Sequence, residues 1–126
     1  MLLNGGTLDG VRILSPESVE RMAQPVFEAR WGKGDPDSFY CIYGLATHTL
    51  ASGVAGCRDD PADDGVHRRG HAGEAYGLRS GLWIDPASGT GMAYFITDQP
   101  DSVPGNASMT EAEAATFRRA LALTHR

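Results

Sequence analysis

Lysine is nearly missing from this sequence. Ten of its eleven basic side chains are arginine, and Lys33 is the single exception. Chemistry that needs a lysine therefore has one candidate. Basic clusters are missing too. With 16 acidic against 11 basic residues the chain is mildly acidic, and no Lys/Arg stripe marks it for nucleic acid or an anionic membrane. No apolar run approaches the ~18–20 residues of a membrane span. Met1-Leu2-Leu3-Asn4-Gly5-Gly6 lacks a basic n-region and its apolar run stops at Leu3, so it does not read as a signal peptide. The expectation is a soluble chain that stays where it is made, unless the sequence is a piece of an exported precursor.

Cysteine is scarce. Cys41 and Cys57 enclose fifteen residues, with no CxxC and no second pair, which disfavours zinc and redox motifs. Two readings stay open: a disulfide worth about 3 kcal/mol in an oxidising compartment, or two reduced, partly buried thiols.

What is present fits one domain. A chain of 126 residues with 41% apolar residues supports a single modest core. Asn4-Gly5-Gly6 is a helix C-cap signal, and Leu8-Asp9-Gly10 reads as a turn. Ser15-Pro16-Glu17 starts a helix with an N-cap serine, proline in the first turn and an acid at the positive dipole end. That helix runs to about Ala23 and stops before Pro25. Residues 25–40 and 51–66 read as loops, and 42–50 as one strand.

The hairpin series beyond them is better defined. Residues 68–76 and 78–84 form strands joined at Gly77, with Leu78, Leu82 and Ile84 on one face. A turn at 85–89 leads to a strand over 91–97 that is apolar on both faces, as a central strand would be. Residues 98–105 form a loop. Ser108-Met109-Thr110-Glu111 opens a final helix with Ala114, Phe117 and Leu121 as its apolar stripe and Glu111, Arg118 and Arg119 toward water. The expected architecture is α+β: three consecutive antiparallel strands covered by a C-terminal helix.

Two stretches carry a resemblance. Leu2-Leu3-Asn4-Gly5-Gly6, Leu8-Asp9-Gly10 and Arg12-Ile13-Leu14-Ser15-Pro16-Glu17-Ser18-Val19 resemble a stretch common in serine β-lactamase-like hydrolases, which include class C β-lactamases, DD-peptidases and related esterases. Gly70-His71-Ala72-Gly73-Glu74-Ala75-Tyr76-Gly77, followed by a strand and Asp85-Pro86, resembles that family's third motif, Lys-Thr-Gly in many members and His-x-Gly in esterase-like ones. The resemblance covers essentially all of this chain and the last third of a family member. It implies a partial β-lactamase/transpeptidase-like fold, in which the strand holding the motif lines the cleft. It further implies that Ala72 and Gly73 admit the substrate, that the backbone N–H of Glu74 serves the oxyanion hole, and that His71 stands where the lysine usually does. Such a donor is worth ~3–4 kcal/mol to the tetrahedral intermediate, and a histidine there is able to relay a proton or bind a carboxylate. An intact relative would be periplasmic or secreted.

The nucleophile is what the resemblance lacks. Ser-x-x-Lys would need serine at position 30, which is Arg30. Tyr-x-Asn or Ser-x-Asn is absent as well, since Asn4 follows Leu2 and Asn106 follows Pro104. Without nucleophile and base the mechanism cannot run, so the isolated chain is expected to be inactive. Its expected partners are a small-molecule or peptide substrate in the intact enzyme and either the missing N-terminal half or a second copy at an exposed strand edge.

The rival readings are weaker. His67 and His71 on one strand stand about 13 Å apart, too far to share a metal. The aspartates at 59, 60, 63 and 64 miss the EF-hand pattern, with Ala62 on a ligand position, and read as a solvated acidic loop. No cofactor is expected. Three functions remain open: the C-terminal part of a serine hydrolase, a non-catalytic binding or assembly module of the same fold, and an unrelated small α+β domain.

Overall fold

A computed structural model describes residues 1–26, 41–100 and 109–124. A short 3-10 turn, Leu2–Asn4, ends at Gly5 in the left-handed conformation. Strands β1 (Thr7–Leu8) and β2 (Val11–Arg12) form a small hairpin. Its two turn residues, Asp9 and Gly10, both have positive φ, the conformation that a two-residue turn of matching twist requires. Helix α1 (Pro16–Ala23) is capped as its sequence dictates: the Ser15 hydroxyl accepts from the Ser18 N–H at 3.1 Å.

The main sheet has five antiparallel strands in the order β3-β4-β5-β6-β7. These are β3 (Ile42–Tyr43), β4 (His48–Leu50), β5 (Arg68–Ala75), β6 (Leu78–Asp85) and β7 (Thr90–Ile96). Helix α2 (Glu111–Thr124) covers one face. The α+β architecture expected from the pattern is the one observed.

Several local expectations change. The single strand expected over 42–50 is a tight hairpin. The Gly44 N–H donates to Thr47 O at 2.7 Å, and Ala46 takes positive φ. A side chain at Gly44 would collide with Met22 O, 2.4 Å from the Cβ position, because α1 ends against this corner. Met22 O accepts there from the Leu45 N–H and the Thr47 hydroxyl.

The β7 strand is not central. Among the described residues nothing pairs with its outer side, and alternate residues are exposed. Helix α2 starts two residues later than expected: the Thr110 hydroxyl caps the Glu113 N–H at 3.1 Å, while Ser108 lies outside the described residues. So do Arg30, Lys33, Asn106 and most of the loops expected at 25–40 and 98–105.

The core is on the face of β6 opposite Leu78, Leu82 and Ile84. Leu50, Trp83, Met109, Phe117 and Leu121 form it, with Ala72, Met92, Tyr94 and Ala114 packed against them. Two glycines make it possible. A Cβ at Gly70 would lie 2.7 Å from Trp83 Cε3 and 1.9 Å from Leu82 O, and one at Gly81 would lie 2.5 Å from Trp83 Nε1 and 2.8 Å from the Tyr94 hydroxyl. The bare backbone at these positions is the floor on which the Trp83 and Tyr94 rings rest.

The loop before β5 uses its acids internally. Asp60 accepts from the Asp64 and Gly65 N–H groups, and Asp59 from the Ser52 N–H. Asp64 holds Arg68 through two contacts, at 2.8 and 2.9 Å. Arg68 in turn lies 5.9 Å above the Phe117 ring, so this ion pair seals one end of the core. Cys41 and Cys57 are joined in a disulfide, with 5.6 Å between their Cα atoms. It ties the start of β3 to the loop after β4.

Candidate cleft edge at His71

Strand β5 is longer than the strand beside it. It pairs with β6 from Arg69↔Ile84 to Ala75↔Leu78, but with β4 only as far as Gly70↔His48. From His71 to Ala75, among the described residues, one side of β5 therefore has no strand against it. Four residues of this segment, His71-Ala72-Gly73-Glu74, are those the sequence singles out.

His71 is held at the corner where β4 ends. Its Nδ1 lies against Ala72 O, and its Nε2 lies 3.4 Å from the Tyr43 hydroxyl. In the neutral ring, Nδ1–H donates to the carbonyl, which leaves Nε2 to accept from Tyr43. When the ring is protonated both nitrogens donate, and the phenol oxygen accepts instead. The Tyr43 hydroxyl suits either state.

The His48 ring stacks on that of His71, 4.5 Å between centroids, and lies 4.4 Å from the Tyr43 ring. His48 is buried, and burial together with the charge of His71 lowers its pKa to about 4. It is neutral at pH 7 and supplies a flat, uncharged wall for His71.

The other predicted residues divide. Ala72 is half-buried and its methyl group packs against the core. At Gly73 the space of a side chain is taken by the Ser80 hydroxyl, 2.4 Å from the Cβ position. Its lack of a side chain thus serves Ser80 across the sheet. Glu74 reaches Arg79 at 2.8 Å, its cross-strand neighbour. Arg79 is itself buried and also donates to Pro100 O. The Glu74 carboxylate is thus engaged, and any part it plays at the edge falls to its backbone.

Tyr43 and His48 were not visible as site residues in the sequence. Their signal is indirect: they are cross-strand partners in the hairpin about Gly44, and only the β4–β5 register brings them to His71. His67 lies outside this group and lines a separate hollow of about 230 Å3 with Glu20, Ile42, Thr49 and Arg69. Among the described residues no three His, Cys, Asp or Glu side chains cluster as a metal would require, and no helix is long and apolar enough to cross a membrane.

The arrangement offers an open strand edge for an extended ligand, with an aromatic and imidazole corner at one end. No family model, no curated protein and no solved structure matches the chain, so the functional reading rests on these residues and their geometry.

Proposed function

We propose that this chain forms the substrate-lining wall of a serine hydrolase of the β-lactamase, DD-peptidase and esterase type, and that it is not catalytic alone. One observation carries the reading. The strand bearing His71-Ala72-Gly73-Glu74 is paired along one side by β6 and, among the described residues, lacks a strand along the other beyond Gly70. In a cleft of this type, the open side takes the substrate backbone as an added strand would. The N–H of Glu74 is the oxyanion donor. His71, steadied by Tyr43 and His48, holds a substrate carboxylate or passes a proton at the end of the edge.

The sequence supplies neither Ser-x-x-Lys nor Tyr-x-Asn. The nucleophile and its base therefore have to come from another segment or another chain. The same absence favours a second reading, a binding or assembly module that holds such ligands without turning them over.

Both readings place the ligand at β5 and separate on chemistry. Titrating the 15N-labelled chain with an N-acyl-D-alanyl-D-alanine peptide, and separately with benzylpenicillin, should shift the amides of residues 71–75. Fluorophosphonate treatment should leave every serine unlabelled. Unmoved β5 amides with both ligands would remove the cleft assignment, and a labelled serine would remove the claim that the chain is inert. A full-length or reconstituted hydrolase that forms an acyl-enzyme favours the first reading over the second.

A further inference from the structure

Among the described residues, the outer edge of β7 is unpaired and the face beside it is apolar and exposed. Phe95 is 74% exposed and Leu82 52%. Gly91 and Ala93 are exposed on the same face of the strand. Beside them a hollow of about 400 Å3 is lined by Leu2, Leu3, Leu82, Ile84 and Ala93, among others. Thr90–Ile96 carries no charged residue and no proline, so it has neither of two common devices that keep an edge strand from pairing.

The strand is also complementary to itself. Laid antiparallel on a second copy about a two-fold axis at Ala93, all seven residues find partners: Thr90 with Ile96, Gly91 with Phe95, Met92 with Tyr94, and Ala93 with Ala93. The register keeps the faces matched. Gly91, Ala93 and Phe95 stay on the bare side of both copies, and the other four stay on the side of α2. It also sets the one large exposed ring of the strand over the one residue without a side chain, the arrangement by which an aromatic residue compensates a glycine across a strand pair. Ala93 on the axis is small enough for two copies to meet.

We infer that β7 pairs with β7 of a second copy of this chain, so that the two five-stranded sheets join into one of ten strands with an isologous two-fold interface. The interface does not involve His71 or the open side of β5, so it stands independently of the hydrolase reading.

Sedimentation equilibrium of the full chain across a wide concentration range tests it. A monomer–dimer equilibrium is expected. Ala93→Lys sets two like charges face to face on the axis and should raise the dissociation constant at least tenfold. Phe95→Ser, at an exposed position, uncovers Gly91 of the other copy and should weaken the dimer in the same direction. Tyr76→Lys, on the fully exposed β5–β6 turn, should leave the dimer as it is. Circular dichroism establishes that each variant is folded. A wild-type chain that is monomeric at every concentration overturns the inference, as does a dimer that neither edge variant weakens. A monomer whose β7 amides are all protected from hydrogen exchange also overturns it, because another segment of the chain would then occupy the edge.

Discussion

Tyr94 on β7 donates its hydroxyl hydrogen to Glu113 Oε1, 3.2 Å away in the first turn of α2. Glu113 is 2% exposed, and its second carboxyl oxygen has no hydrogen-bond partner among the described residues. Burial raises its pKa, against the lowering effects of the Tyr94 hydrogen bond, the positive charge of Arg79 and the hydrogen bond at Thr110, while the negative charge of Glu74 adds to the rise.

The sign of the resulting pH dependence follows. Below the ordinary carboxyl value of 4.5 the group is protonated in both the folded and unfolded chains, and its contribution to stability is complete. Above it, the unfolded chain ionises first, and stability is lost until pH passes the folded-state value. Glu113→Gln keeps an acceptor for Tyr94 and removes the charge. It should stabilise the chain at pH 8 by on the order of 1 kcal/mol and do little at pH 4. Urea denaturation of both proteins at the two pH values reads the difference, and equal gaps at both would show that Glu113 does not titrate as described.

Glu113 also shows what was legible in the sequence. Helix α2, its stripe of Phe117 and Leu121 and its outward Arg118 and Arg119 follow from periodicity alone. Glu113 stands four residues before Phe117, on the same stripe, yet a carboxylate is not read as core because its partner Tyr94 comes from another element. The cap at Ser15, the turn at Asp9-Gly10 and the β5–β6–β7 hairpins were legible because each is fixed by neighbours in the chain. The choice of buried face was not. Leu78, Leu82 and Ile84 make the stronger apolar pattern on β6, but Gly70 and Gly81 leave room for Trp83 and Tyr94 on the other side, and glycine carries no hydrophobic signal. The Tyr43–His48–His71 group depends on strand register across 28 residues, which local spacing does not encode.

Gly70→Ala tests the glycine floor. The new methyl would lie 1.9 Å from Leu82 O and 2.7 Å from Trp83 Cε3, and neither the sheet backbone nor the buried indole can retreat. A loss of at least ~2–3 kcal/mol is expected, as for other overpacked cores. Gly53→Ala is the comparison. It meets nothing within 4 Å but has a φ of +73°, so only backbone strain remains, about 1 kcal/mol. Thermal or urea unfolding that ranks the two variants the other way would show that β5 and β6 are not packed as described.

The disulfide should be worth more than its position suggests. Cys41 is fully buried at the start of β3, and the sixteen-residue separation to Cys57 spans both short strands of the β3–β4 hairpin. These strands contain few residues, and only β4 pairs with β5, so the hairpin is expected to depend on the tether to stay docked. Reduction, or the double change Cys41→Ser and Cys57→Ser, should lower stability by about 3 kcal/mol. Protection of the β3 and β4 amides should fall first. Unchanged unfolding midpoints with and without reductant would count against that role.

His48 gives a pH dependence opposite in sign to that of Glu113. It is 6% exposed and lies against the rings of Tyr43, His71 and Trp83. Burial and the nearby His71 bring its pKa down from 6.5 to about 4. Above pH 6.5 the ring is neutral in both folded and unfolded chains, and its packing contributes fully. As pH falls toward 4 the unfolded chain takes up a proton that the folded chain resists, and the loss reaches about 3 kcal/mol, flattening below the folded-state value. His48→Phe keeps a ring against Trp83 and has no proton to gain, so its stability should hold between pH 6.5 and 4 where the wild type declines. The same substitution should leave the Tyr43–His71 contact in place. Imidazole proton shifts followed by NMR across that range assign the titration, and a His48 that titrates near 6.5 would mean that the stack is open to water.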